Sequence, residues 1–241
     1  MIGCDCEVCV SKDVRDNRTR SSVHIQFAGL SLQIDTGPDF RTQMLREGLT
    51  HVDAVLFTHE HQDHVAGLDD VRPIIFRVHK EMALYGQQRV LDRIKKAFDY
   101  AFKAQPYPGA PSFTTTSIEA ELAFTINGVE VLPLGINHGN LPILGYRIGD
   151  TAYLTDVNDI PDEAMEQLSG LNYLILDALH RKEHYSHFNL TQAIEWATKI
   201  GARHTYFIHM SHYMGKHEDV EKELPEGMQL SFDGLRIPVT I

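Results

Sequence analysis

The segment Thr58-His59-Glu60-His61-Gln62-Asp63-His64 sets three imidazoles and a carboxylate within six positions, directly after the apolar run Ala54-Val55-Leu56-Phe57. A strand that ends in such a loop points His59 and His61 toward one metal, and Asp63 and His64, on the turn that follows, reach a second. Packed together without metal these groups carry a large desolvation cost, and His/Asp clusters at ligand spacing ordinarily bind metal.

Three further donors stand at the ends of short β-like runs. His138 follows Val129–Ile136, Asp156 follows Thr151–Thr155, and His209 follows Thr205–Ile208. Each alone reads as a turn or surface residue; their value lies in completing one set, built on loops at the edge of a rigid sheet. A second cluster, Cys4-Asp5-Cys6-Glu7-Val8-Cys9, holds all 3 cysteines of the chain. The odd count, tight spacing and lack of a secretory signal argue against disulfides and for a cytoplasmic protein. Three thiolates need a fourth ligand to close a tetrahedral zinc site, and His212, in His209-Met210-Ser211-His212, is the candidate.

These motifs resemble the signature of the metallo-β-lactamase superfamily. The Cys-x-Cys-x-x-Cys and His-x-x-His pairing is similar to that of the cyclic-phosphate phosphodiesterases of the carbon–phosphorus lyase pathway, a ribonuclease-Z-like branch, and the resemblance spans nearly the whole chain. It implies one metal held by His59, His61 and His138, a second held by Asp63, His64 and His209, and Asp156 bridging them. It implies zinc or manganese at that pair and a separate structural zinc at Cys4, Cys6, Cys9 and His212. The activity implied is hydrolysis of a small cyclic or nucleotide-like phosphodiester by a hydroxide bridging the two metals. Asp63 counts among the catalytic residues, and His187, between Ser186 and Phe188, matches the histidine that contacts the scissile phosphate; His180 and His184 lie nearby. Asp35, at the end of Leu30–Asp35, reads equally as a turn cap or as the acceptor that sets the tautomer of a ligand histidine. Relatives begin with an apolar strand and a Gly-Thr-Gly-rich loop. Here Met1-Ile2-Gly3 leads straight into Cys4, so that first strand is expected to be missing and the sheet edge open to pairing with a second copy.

A net charge of −11 over 241 residues argues against a nucleic-acid surface, but not against a small phosphate substrate met by metal ions. Arg41, Arg72, Arg77, Arg181 and Lys182 could add positive charge, though surface cations are commoner. Three other activities are weighed. A tRNA 3′-end-processing nuclease is weakened by the acidic charge and the lack of a long basic arm; a thioester or cofactor-pathway hydrolase uses the same metals; a non-enzymatic metal-binding module sits poorly with an intact ligand set. No apolar run is long enough to span a bilayer, and no linker divides the chain.

The elements that must position these residues follow from pattern. Val23–Phe27 and Leu30–Asp35 read as a hairpin around Ala28-Gly29, Phe40–Glu47 as a helix, Val52–Phe57 as a strand leading into a helix from about Asp63, and Gln87–Lys103 as an amphipathic helix with Val90, Leu91, Ile94, Ala97, Phe98, Ala101 and Phe102 on one stripe. Pro106–Pro111 is a loop and a candidate wall of the site. Strands are expected at Leu122–Ile126, Val129–Leu134, Leu144–Ile148, Thr151–Thr155, Tyr173–Leu176 and Arg203–Ile208, with helices at Pro161–Leu168, Leu190–Ile200 and Lys216–Leu224. A last hairpin, Leu230–Phe232 with Leu235–Val239, turns at Asp233-Gly234. Strands and helices in both halves predict one α/β domain over 1–241, a four-layer αβ/βα metallo-β-lactamase sandwich.

Overall fold

The short aliphatic runs become strands that stop where a polar residue or glycine interrupts them. The computed structural model describes residues 1–27 and 29–239. It divides into two units, Arg20–Glu119 and the discontinuous set Met1–Thr19 with Ala120–Ile241.

The Arg20–Glu119 unit runs β1 Val23–Phe27, β2 Leu30–Ile34, α1 Phe40–Glu47, β3 Ala54–Leu56, α2 Gln62–Val65, α3 Arg72–Val78, β4 Met82–Gly86, α4 Gln88–Ala97 and β5 Phe113–Ser117. Its sheet has the order β1-β2-β3-β4-β5, with β1 antiparallel to β2 and the rest parallel. Phe40, Val55, Phe57, Leu68, Leu84 and Ile94 form its buried core. The β2–β3 register puts Ile34 opposite Leu56, so Asp35 and the Phe57-Thr58-His59 exit leave the sheet side by side.

Several boundaries differ from expectation. Ala28, in the tip of the expected first hairpin, lies outside the described residues; the flanking pair Phe27 and Leu30 is in register. Helix α4 ends at Ala97 and not at Lys103. Phe98 leaves the helical region (φ −114°, ψ 39°) and a 3-10 turn Asp99–Ala101 follows. This break lets Phe102 pack on Phe113, ring centroids 5.5 Å apart, while the Tyr100 hydroxyl donates to Asp69. Tertiary packing thus outweighs helical periodicity. β4, β5 and α3 were not expected.

The other unit carries β6 Phe124–Ile126, β7 Val129–His138, β8 Leu141–Ile148, β9 Thr151–Leu154, α5 Asp162–Glu166, β10 Tyr173–Asp177, α6 Leu190–Ile200, β11 His204–Ile208, α7 His217–Glu221 and β12 Met228–Leu230. The sheet order is β12-β11-β10-β9-β8-β7-β6, antiparallel from β6 to β9 and parallel from β9 to β12. Leu134, Ile136, Leu154, Leu176, Phe188 and Phe207 lie in its core. Asn189 caps α6 through a reciprocal capping box with Gln192, and Gly201 closes the helix at φ 72°.

β6 begins at Phe124 because Glu121, at φ 59°, turns its carboxylate back to accept from the Gly135 N–H. β7 runs on to His138, paired with Leu141 of β8, so that donor is a strand residue and not a loop residue. α5 and α7 are shorter than expected at their C-terminal ends. The expected last hairpin is absent among the described residues. β12 instead adds in parallel to β11, Leu230 opposite Phe207, and the Asp233 carboxylate accepts from the Thr19 N–H and hydroxyl (3.1 and 2.6 Å). The Asp233-Gly234 turn itself forms, the Leu235 N–H donating to the Phe232 carbonyl at 3.1 Å, but residues 235–239 pair with no strand. Among the described residues no helix is long and apolar enough to cross a membrane. The α/β class expected from the pattern holds, with a helix-bearing sheet in each unit.

Candidate metal centre

In the Arg20–Glu119 unit the histidines are oriented from behind by one buried carboxylate. Asp35 is fully buried at the end of β2 with φ 60°, a conformation non-glycine residues seldom adopt. It accepts from the Thr58 N–H (2.9 Å), the Thr58 hydroxyl (2.8 Å) and His64 Nδ1–H (2.7 Å). With its proton given to Asp35, the Thr58 oxygen accepts from His59 Nδ1–H at 3.0 Å. Both rings are thereby set as Nδ1–H tautomers whose Nε2 carries the lone pair. His59 Nε2 lies 3.0 Å from His61 Nδ1, and His64 Nε2 lies 3.7 Å from Asp63 Oδ2. Two nitrogens on one tetrahedral zinc, each about 2.0–2.1 Å from it, lie about 3.3 Å apart, so the His59–His61 approach fits a shared cation. Glycine makes the approach feasible: a Cβ on Gly37 would sit 2.2 Å from the Asp63 carbonyl oxygen, and one on Gly67 2.1 Å from that of Gly37.

The other unit repeats the device. His138 Nδ1–H donates to the Ser186 carbonyl at 2.8 Å. His187, nearly buried, donates Nδ1–H to Asp177 Oδ2 at 3.0 Å. His209 presents Nε2 to Asp156 Oδ1 at 3.3 Å and Nδ1 to Asp177 Oδ1 at 3.6 Å. The Thr155 hydroxyl donates to Asp156 Oδ1 at 2.6 Å. Asp156 and His209 both take positive φ, 55° and 59°. Donor atoms of His138, Asp156 and His187 lie within 4.8 Å of one another, as do those of Asp177, His187 and His209. Burial pushes the Asp177 carboxyl up, while the hydrogen bond from His187 and the charge of His209 pull it down. Asp177 is the candidate site residue the sequence reading passed over. Its signal was available: like Asp35, it is an aspartate closing an apolar strand.

The cysteine cluster closes as expected in geometry. His212 Nδ1 lies 3.4, 3.4 and 3.5 Å from the sulfurs of Cys4, Cys6 and Cys9, none of which is in a disulfide. Zinc bonds of about 2.3 Å to sulfur and about 2.0–2.1 Å to nitrogen place S and N about 3.5 Å apart in a tetrahedron, so the four residues fit that ion. Cys6 is held down to about 6 by the Cys9 backbone N–H and by His212. Cys4 goes up: the Cys6 backbone N–H works to lower it, but the neighbouring thiols and burial outweigh that. The Cys6 thiolate forms readily beside a Cys4 thiol that resists, a charge crowding that a divalent cation relieves.

The arginines weighed as phosphate contacts are otherwise engaged. Arg72 pairs with Asp69 at 3.0 Å, Arg77 donates to the Thr50 carbonyl, and Arg181 bonds Glu223 and the Met214 carbonyl. Arg41 and Lys182 are exposed. His180 and His184 flank His187 in the β10–α6 segment, the His184 ring 5.1 Å from that of His187.

Residues 32–210 match the Beta-lactamase superfamily domain. The chain is 42% identical to a solved diphosphatase of the PhnP family, covering 100% of this chain and 92% of that one with a TM-score of 0.92. It is 44% identical over 236 residues to an Octanoyltransferase of Porphyromonas gingivalis, covering 97% of this chain but 48% of that protein. It is 36% identical over 73 residues to a Ribonuclease Z of Methanopyrus kandleri, 29% of this chain and 26% of that one. The chain spans about half, or less, of the curated relatives it matches. Zinc-bound PqqB from Methylobacterium extorquens, 19% identical with a TM-score of 0.79 over 99% of this chain and 95% of that one, shares the fold. The chain belongs to the beta-lactamase superfamily, in the PhnP branch that also neighbours ribonuclease Z. Its fold is that of the metallo-β-lactamases, and zinc-bound PqqB shares that fold.

Proposed function

We propose that this chain, acting over 1–241 as one hydrolase domain, is a cytoplasmic phosphodiesterase for a small cyclic or nucleotide-like phosphodiester. The observation that carries this reading is the 42% identity, along the full chain, to a PhnP-family diphosphatase. From the order of the sequence motifs we assign His59, His61 and His138 to one divalent metal, zinc or manganese, and Asp63, His64 and His209 to a second, with Asp156 shared. Cys4, Cys6, Cys9 and His212 are assigned to a structural zinc. Bound metals supply positive charge to the phosphate oxygens and lower the pKa of an attacking water.

The chain's own groups do the rest. Asp35, Thr58 and the Ser186 carbonyl hold His64, His59 and His138 with Nε2 outward. Asp177 holds His187 through Nδ1, which leaves Nε2 free to meet the phosphate oxygens or, when it carries a proton, to give that proton to the departing alkoxide. Cleavage of a P–O–P diphosphate is the second reading, favoured by the name of the PhnP-family neighbour; the in-line attack on phosphorus is the same. We assign the acyl transfer named for the Porphyromonas relative to the half of that protein that this chain does not match. All 3 thiols here converge on His212, which leaves none to carry an acyl group.

Zinc- or manganese-loaded protein assayed against bis(p-nitrophenyl) phosphate, a five-membered cyclic phosphate, a diphosphate diester and an octanoyl thioester tests this. Turnover of phosphorus substrates should dominate; faster thioester cleavage would overturn the reading.

A further inference from the structure

Two tyrosines of the unit that carries His187 stand in solvent, Tyr185 at 82% and Tyr213 at 68% exposure. Neither is a loose surface side chain. A Cβ on Gly139, the residue after His138, would lie 3.5 Å from the Tyr185 ring, so that ring is braced on the β7–β8 turn. Its other neighbour is His184, ring centroids 4.9 Å apart at 35°. Tyr213 leans on His212, the histidine of the cysteine cluster, at 4.1 Å and 38°. The two are joined through histidines: His184 meets His180 at 5.8 Å, and His180 meets Tyr213 at 6.4 Å. From His184 the rings continue to His187 at 5.1 Å and from there to His209 at 5.0 Å, stacked at 14°. A continuous band of rings thus runs from the donor set to two open π-faces.

Exposed rings held by ring and backbone contacts lose little freedom when a planar ligand stacks on them, and stacking accepts any base because every base has a π-face. His184 adds a hydrogen-bonding edge; it is held below the usual histidine range by burial, with His187 and His180 beside it. We propose that Tyr185 and Tyr213, with His184 between Tyr185 and His187, form a subsite for the planar base of a nucleoside, making a nucleotide-derived phosphoester the substrate class. The tyrosines determine specificity and touch no reacting atom. The proposal rests on the phosphoesterase reading above and narrows it. It also gives His212 a second task, since the ring that converges on the cysteine sulfurs also seats Tyr213.

The test compares adenosine 2′,3′-cyclic phosphate with glycerol 1,2-cyclic phosphate, the same strained ring with and without a base. Stacking of about 1–3 kcal/mol per base predicts that Tyr185→Leu and Tyr213→Leu each lower the ratio of kcat/KM values, base-bearing over base-free, by roughly five- to tenfold or more, with KM carrying the change, and that the Phe variants restore it. Equal losses on both substrates would overturn the subsite. A second readout needs no turnover: calorimetric titration with adenosine 5′-monophosphate and with ribose 5-phosphate. The base should tighten binding in the unaltered protein, and the Leu variants should lose that margin. If neither cyclic phosphate is hydrolysed while the margin behaves as stated, the reaction assignment falls and the subsite stands. If the margin is absent, or survives both substitutions, the subsite is wrong. If the Leu variants only break a dimer seen by sedimentation, the rings face a second copy and the proposal is wrong.

Discussion

His64 Nδ1 sits 2.7 Å from Asp35 Oδ2, both residues essentially removed from solvent. A carboxylate oxygen can only accept here, and that acceptance fixes which nitrogen of His64 carries the proton. Asp177 does the same for His187 at 3.0 Å. Each half of the chain thus uses one strand-terminal aspartate to turn an imidazole outward.

Replacement of Asp35 by Asn keeps the shape but offers an amide that can point N–H at Nδ1, which favours the wrong tautomer. Metal affinity should fall about 10- to 100-fold, measured by competition against a zinc indicator. Unchanged affinity would make Asp35 a turn cap only.

Asp63 belongs to one of the two proposed catalytic ions, and its side chain is partly exposed at 37%. Asp63→Ala should therefore fold normally and lose about one metal per chain by elemental analysis. Unaltered stoichiometry would sink the two-metal assignment.

His212 converges on three sulfurs that lie more than two hundred positions away in sequence. His212→Ala should lower Tm more than it lowers turnover per folded molecule. In metal-loaded native protein the three thiols should react slowly with a thiol reagent; in the variant they should react fast. Rapid reaction of all three in unaltered protein would remove the structural zinc.

His187→Ala should retain full metal content and lose about 10²–10⁴-fold in kcat on a phosphodiester with a poor leaving group. The loss should be smaller with p-nitrophenolate, which leaves without a proton. Asp177→Asn should follow the same pattern more weakly, because it disturbs only the orientation of His187. Equal loss on both leaving groups would reduce His187 to an oxyanion contact.

His24 and His217 are both pulled below the ordinary histidine value by burial; Gln33 acts the other way on His24 and Glu221 on His217. The unfolded chain therefore takes up their protons first, near pH 6.5. Stability is present above that pH and falls as pH drops through it toward the lower folded values. In metal-free protein, thermal melts between pH 7.5 and about 5 should show a shallower decline for His24→Gln than for the unaltered chain. Identical slopes would mean that His24 does not contribute.

The candidate donors were legible where they are local. His59, His61, Asp63 and His64 stand at ligand spacing along a few residues after one strand, and Cys4, Cys6 and Cys9 likewise, so residue types and intervals sufficed to single them out. Elements with strong end signals, such as Phe40–Glu47 before Gly48 and Leu190–Ile200 between Asn189 and Gly201, were also readable, because caps are set by neighbours in sequence. Tertiary structure decided what depends on contacts between distant segments. Helix α4 stops at Ala97 because Tyr100 and Phe102 find partners at Asp69 and Phe113. The expected last hairpin is replaced by a parallel strand because Met228–Leu230 finds its partner in β11, with Leu230 opposite Phe207. Asp177 gains its role, and Tyr185 its seat on Gly139, only once the sheet brings β10, the β7–β8 turn and the segment before α6 together. A side chain's type is written in the sequence, but its hydrogen-bond partner, tautomer and exposure are properties of the packed surroundings, and those exist only after the chain has folded.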